Sequence, residues 1–231
     1  MVLTRNPADH HPGVVSLDRH RQRKQAPVLR LSPEYDGMEM LYANDRHPDK
    51  LFPLGIPAWA LRADDSVVAL VPWLDRLTTA GELVDPLNGR WEGFRFAGDD
   101  RLFTEVPGYK VQELRAARDY FNNGTARPSA QEIPDTIGTH VLFSADGFRS
   151  IHLQEVVSWR LNARGWVNAM IVDENRVTRT PVLPGDVSLI PATEHPHFRY
   201  FFQHAMANRI KERDPEALAT IALLCEPHQR R

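Results

Sequence analysis

The chain reads as an α+β protein, mainly antiparallel β, built as a sandwich or barrel and closed by a C-terminal helical hairpin. Three observations predict this. Short apolar runs bounded by Gly, Pro, Asn and Asp recur through the second half with no helical segment between them. From Phe198 the apolar residues change period, with Phe198, Phe202, Met206 and Ile210 every four positions. Asp214-Pro215 then restarts a helix, with Asp214 as N-cap and Pro215 at the first helical position.

At 231 residues the chain holds one large domain or two small ones. Its 28 Lys and Arg balance 30 Asp and Glu, and a net charge of -2 supplies no long-range pull toward nucleic acid or a membrane surface. Cys225 is the one cysteine, which rules out an internal disulfide framework and a cysteine-rich zinc site. No signal-peptide run and no stretch of about 18 apolar residues is present. A cytoplasmic protein with no membrane association is expected.

Residues 1–33 read as a mobile basic arm, polar and broken by prolines, with the cluster Arg19, Arg21, Arg23 and Lys24. No aromatic residues interleave these charges, so the arm is read as a solvated tail rather than a nucleic-acid contact. Residues 34–121 form an α+β N-terminal region. Its first part, 35–57, is turn-rich and predicts irregular packing. Trp59–Arg62 and Ser66–Val71 predict two strands around an acidic turn, ended or edged by Pro72. Asp75–Glu82 predicts a short helix, and Asn88-Gly89 a hairpin turn. Trp91 is out of phase with Phe94 and Phe96, which marks Gly93 as a bulge. Val111–Phe121 predicts a helix stopped by Asn122-Asn123-Gly124.

Residues 122–136 are a linker or long loop and the preferred domain boundary. In 137–231, strands are expected at Thr139–Phe143, in one long run Ile151–Leu161, and at Trp166–Val172, Arg176–Val182 and Val187–Ile190. The hairpin comes next, its second helix carrying Leu218, Ile221, Ala222 and Cys225. No internal repeat is apparent.

Gly185 is followed after five residues by Pro191, in the text Pro-Gly-Asp-Val and then Ile-Pro, with His195 and His197 just beyond. Upstream, Gly147, His152, Glu155 and Gly165 stand in that order. Over residues 146–197 this resembles a cupin domain, a small β-barrel that often holds a metal between histidines. The ligand pattern departs from the family: Pro196 occupies the expected histidine position, and Gln154 stands where a second histidine belongs. The resemblance implies a cupin-like barrel with a pocket for a small molecule and, in many members, metal chemistry.

Neutral imidazoles suit a divalent transition metal, so His152, His195 and His197 are the candidate ligands, with Glu194 as a further oxygen donor. The competing role of His195 and His197 is as loop residues around Pro196. Glu155, next to a tryptophan-bearing strand, is the candidate acid-base group if burial desolvates it. Two functional classes are open. One is a cupin-like small-molecule-binding protein, with or without metal-dependent catalysis. The other is a non-enzymatic interaction or regulatory protein, a homodimer assembled through the C-terminal helices.

Overall fold

The computed structural model describes residues 26–44, 47–73, 75–82, 90–146, 152–173 and 188–203. Its first half runs β1 (Val28–Pro33), β2 (Met38–Asn44), β3 (His47–Gly55), β4 (Ala58–Arg62), β5 (Val67–Trp73), β6 (Arg76–Thr79), a 3-10 turn (Ala80–Glu82) and β7 (Arg90–Phe96). Helix α1 (Gly108–Phe121) comes between the halves. The second half runs β8 (Gln131–Pro134), β9 (Thr139–Phe143), β10 (His152–Glu155), β11 (Ser158–Leu161), β12 (Val167–Val172), β13 (Leu189–Pro191), a 3-10 turn (Ala192–Glu194) and β14 (Phe198–Gln203).

All strand pairings among the described residues are antiparallel, and they fall into four sheets. Sheet I has the order β1-β4-β5-β6 and sheet II β3-β2-β7; sheet III has β10-β9-β14 and sheet IV β13-β12-β11-β8. The two halves are therefore one topology written twice, with β1 to β7 matching β8 to β14 strand for strand. The residue register matches too. Pro33 faces Ala58 and Trp59 faces Ala69 in sheet I; Pro134 faces Ser158 and Trp159 faces Ala169 in sheet IV. Even the irregularity is shared: β7 slips register on β2 at Leu41/Tyr42, and β14 slips on β9 at the equivalent place, between Phe198 and Tyr200.

The chain is thus a tandem repeat. The residue trace of it is thin: Pro33-Glu34-x-x-Gly37 against Pro134-Asp135-x-x-Gly138, Trp59-x-Leu61 against Trp159-x-Leu161, and Ala80-x-Glu82 against Ala192-x-Glu194.

Several expectations are corrected. None of the four sheets closes on itself among the described residues, so no cupin-like barrel is present there, and four sheets stand where one sandwich or barrel was expected. The C-terminal helical hairpin does not begin at Phe198, because Phe198–Gln203 pairs with β9 as a strand. A spacing of four residues spans two pleats as well as about one helical turn, and the aromatic run Phe-Arg-Tyr-Phe-Phe-Gln suits a sheet. The rest of that hairpin, 204–231, lies outside the described residues, as do the basic cluster at 19–24, the hairpin turn Asn88-Gly89, the strand at 176–182, and Gly147 and Gly185.

The turn-rich stretch 35–57 forms β2 and β3, and the arm assigned to 1–33 gives way at Val28 to a buried strand. Asp75–Glu82 is a strand and a 3-10 turn rather than a helix, and β5 runs through Pro72. The long strand expected over 151–161 breaks at Val156-Val157 into β10 and β11, which belong to different sheets. The strands β4, β5, β9 and β12 and the helix stand as expected. The helix starts earlier, at Gly108, and ends where Asn123 takes a left-handed φ of 50°. Gly93 does mark the bulge: its φ is 147°, and a Cβ there would lie 2.5 Å from the Phe103 carbonyl oxygen.

Two hydrophobic clusters form the core, and each draws on both halves. Trp59 and Leu61 join one, with Met40, Tyr42, Leu114 and Leu142. Ala58 and Ala60 join the other, with Leu31, Val141, Phe143, Trp159 and Phe201. Alternate residues of β4 and of β9 thus enter different clusters, which buries both faces of each strand.

Between sheets, glutamine carboxamides stand in for backbone. Gln131 Oε1 accepts from Leu31 N–H at 2.9 Å while its Nε2 donates to Leu31 O at 2.7 Å, joining sheet IV to sheet I. Gln203 does the same to Gly55, at 2.8 and 2.9 Å, joining sheet III to sheet II. Gln154 Nε2 donates to Val172 O at 2.7 Å, joining sheets III and IV.

Gln203→Leu leaves the Gly55 N–H and C=O without partners, and is expected to lower unfolding free energy by about 3 kcal/mol, measured by urea denaturation with unchanged slope. A second test concerns pH. The Ser158 hydroxyl, then Arg160, hold the Glu132 carboxyl below its ordinary value. That stabilisation is present above the ordinary glutamate range and disappears as pH falls through the lowered folded value. In Ser158→Ala the Glu132 carboxyl resonance should titrate at higher pH than in the parent.

Candidate functional site

The sequence-derived ligands gather around one ring. His152 faces Phe143 across the β9–β10 pair, and its ring centroid lies 6.3 Å from that of Phe143. His195, just past the second 3-10 turn, packs edge-on against Phe143 at 4.6 Å and lies 5.5 Å from His197. The His197 backbone N–H donates to His195 Nδ1 at 3.2 Å. An Nδ1 that accepts carries no proton, so the neutral His195 ring holds its proton on Nε2. Neither nitrogen then presents a lone pair outward unless that bond breaks. Among the described residues no group of three or more His, Cys, Asp and Glu side chains is placed to hold a metal.

Glu155 ends β10 with its side chain 81% exposed, 3.9 Å from His140 Nε2, whose Nδ1 donates to the Gly138 carbonyl at 2.9 Å. The burial that recommended it as an acid-base group is not there. Trp159 is close in sequence but belongs to sheet IV, across the break at Val156-Val157.

A larger polar cluster lies where β1 turns into β2. The buried Glu34 carboxylate accepts from the Trp59 indole N–H at 2.5 Å and from the Asp36 and Met38 backbone N–H groups. The second repeat copies this: Asp135 accepts from the Trp159 indole at 2.8 Å and from the Thr139 N–H and hydroxyl. Beside Glu34, Lys110 Nζ sits among Pro33 O, Asp36 and Glu113 at 3.4 to 3.6 Å, and Ser32 donates to Glu113. Burial, then the hydrogen bond to Asp36, pushes the Tyr109 phenol above its ordinary range. These groups satisfy one another, and the cluster is a structural clamp.

Unsatisfied polar atoms mark a different place. Arg30, in β1, is 8% exposed; its Nε is fully buried without a hydrogen-bond partner, and no carboxylate pairs with it among the described residues. Its guanidinium carbon lies 4.8 Å from the Phe121 ring centroid, over the last turn of α1. Burial lowers its pKa from the ordinary value. One residue past Phe121, the Asn122 Oδ1 is also buried and unpaired, while its Nδ2 donates to Leu29 O and Arg127 O. Those two acceptors fix which end of the amide is which.

Register shows what Arg30 replaces. It faces Leu61 as Gln131 faces Leu161, so it occupies the position of the carboxamide that bridges the repeats. Sequence reading missed it by placing Arg30 in the polar arm. The available signal was a charge inside the apolar run Val28-Leu29-Arg30-Leu31, which a buried strand must compensate.

The clamp is testable in both copies. Glu34→Gln or Asp135→Asn sets an amide donor against N–H donors and should cost about 2 kcal/mol in either repeat, read as a lowered urea midpoint by tryptophan fluorescence. Neither a protein-family model, nor a curated protein, nor a solved structure matches the chain.

Proposed function

We propose that this protein binds a small anionic molecule where β1 meets the end of α1, with Arg30 as the charge that holds it. The carrying observation is an arginine, 8% exposed as a residue, whose Nε is fully buried without a hydrogen-bond partner and which has no anionic partner among the described residues. A buried cation without a counter-charge costs several kcal/mol. The Phe121 face and the negative end of α1 offset part of this, each by about 1 kcal/mol. A bound carboxylate or similar anion supplies the remainder through charge-assisted hydrogen bonds to the terminal nitrogens. The equivalent position in the other repeat manages with a neutral glutamine, so the fold itself does not demand a charge here. A single cysteine fits a reducing, cytoplasmic setting.

Arg30→Gln copies the second repeat and separates fold from function. Without ligand the variant should be more stable than the parent by about 1 kcal/mol, roughly 2–4 °C in melting temperature. The parent should gain stability with small monoanions, about 2.7 kcal/mol at a concentration 100 times Kd, and the variant should not. A parent that ignores every anion in a thermal-shift panel, beside a variant that is less stable, removes the proposal.

A further inference from the structure

The two repeats differ at one sheet margin. Strands β3 and β10 are equivalent, each at the margin of its three-stranded sheet, and by register Pro53 holds the position of Leu153 and Gly55 that of Glu155. The Val156 N–H donates to Thr139 O at 2.8 Å, so Val156, Gln154 and His152 turn their backbone groups toward β9. Those of Leu153 and Glu155 point outward. In β3 the same two positions are closed. Pro53 has no N–H, and Gln203 takes both the N–H and the C=O of Gly55.

Neither device is present in β10. Leu153 and Glu155 keep their N–H groups, and the residue of the first repeat in register with Gln203 is Phe96, which has no carboxamide to return the bridge. Among the described residues nothing pairs with the outer side of β10. We infer that this margin docks an extended peptide segment, added antiparallel as a further strand of sheet III, with a basic residue opposite Glu155 and an apolar residue opposite Leu153.

The backbone supplies the affinity. An antiparallel partner meets Leu153 and Glu155 as two hydrogen-bonded pairs, each exchanging both of its bonds. The side chains choose the partner. Glu155 and Leu153 are alternate residues and share a face. Glu155 has His140 Nε2 at 3.9 Å on the β9 side, yet its side chain stays 81% exposed. Leu153 is 43% exposed. Across a ladder, opposite charges stabilise and like charges destabilise.

A second copy of β10 fits this poorly. The self-pairing that bonds both residues sets Leu153 opposite Glu155, and the one centred on Glu155 sets two carboxylates together. The one centred on Leu153 puts no basic residue opposite Glu155. A segment reading basic, any residue, apolar satisfies both positions at once.

The probe is the heptapeptide Thr-Thr-Arg-Thr-Leu-Thr-Thr, blocked at both ends, titrated to millimolar concentration into the full-length protein and followed by amide NMR. Bound peptide should shift the Leu153 and Glu155 N–H signals and slow their exchange with solvent. Methylating the peptide leucine nitrogen, which faces Leu153, should weaken binding at least about tenfold, and methylating the threonine between arginine and leucine, whose N–H points away, should not. Leu153→Pro copies Pro53 and should weaken binding by a similar factor; its urea midpoint should hold, since the N–H it removes faces away from β9. Glu155→Lys should reverse the preference between this peptide and one with glutamate in place of arginine. A parent that binds no peptide, or binds the leucine-methylated one equally, overturns the proposal, as does full binding by Leu153→Pro. A parent dimer that Leu153→Pro makes monomeric assigns the margin to a second copy and overturns the peptide.

Discussion

A carboxylate at the corner where the chain leaves one sheet for the next, buried in the first repeat and half-buried in the second, holds each repeat in shape. Glu34 sits between β1 and β2, Asp135 between β8 and β9, and each takes an indole N–H from the tryptophan of the neighbouring strand. Burying a carboxylate as Glu34 is buried costs several kcal/mol. It is tolerated because every lone pair that points inward meets a donor, and hydrogen bonds to an ionised acceptor contribute about 1.5–3 kcal/mol each. The corner also sets the direction in which the chain exits. The N–H groups of the turn can reach the carboxylate only if β2, or β9, departs toward the other sheet.

These corners govern the packing beyond them. Trp59 and Trp159 are fixed at their polar ends and fully enclosed at their apolar ones, so each acts as a rigid post. Strands β4 and β9 pack both faces into apolar clusters, which places these two strands inside the molecule. The two clusters share residues from both repeats, and carboxamide side chains bridge what the strand ladders leave apart.

Much of this was legible in the residues, and the parts that were not have physical causes. Trp59–Arg62 and Val167–Val172 carry clean strand chemistry between turn residues, and α1 carries a helical stripe with an unambiguous stop. The repeat escaped notice because what the two copies share is register, and register leaves few identical residues behind. A proline, an acid, a glycine and a tryptophan recur, while the strands between them accept any apolar residue of suitable size. Phe198 to Phe202 misled because a four-residue step satisfies both periods. The break at Val156-Val157 is invisible to periodicity, since the strands on either side continue the same alternation. The histidines drew attention by chemistry alone, whereas Arg30 stands out once Val28-Leu29-Arg30-Leu31 is known to be a buried strand.

The glutamine bridges have one more effect. A strand at the margin of a sheet displays a row of bare N–H and C=O groups, an invitation to any extended chain that drifts past. Gln131 covers those of Leu31, and Gln203 covers those of Gly55, with side chains that mimic a single residue of strand and then stop. At those two residues the ladder has no free group to offer a neighbouring molecule.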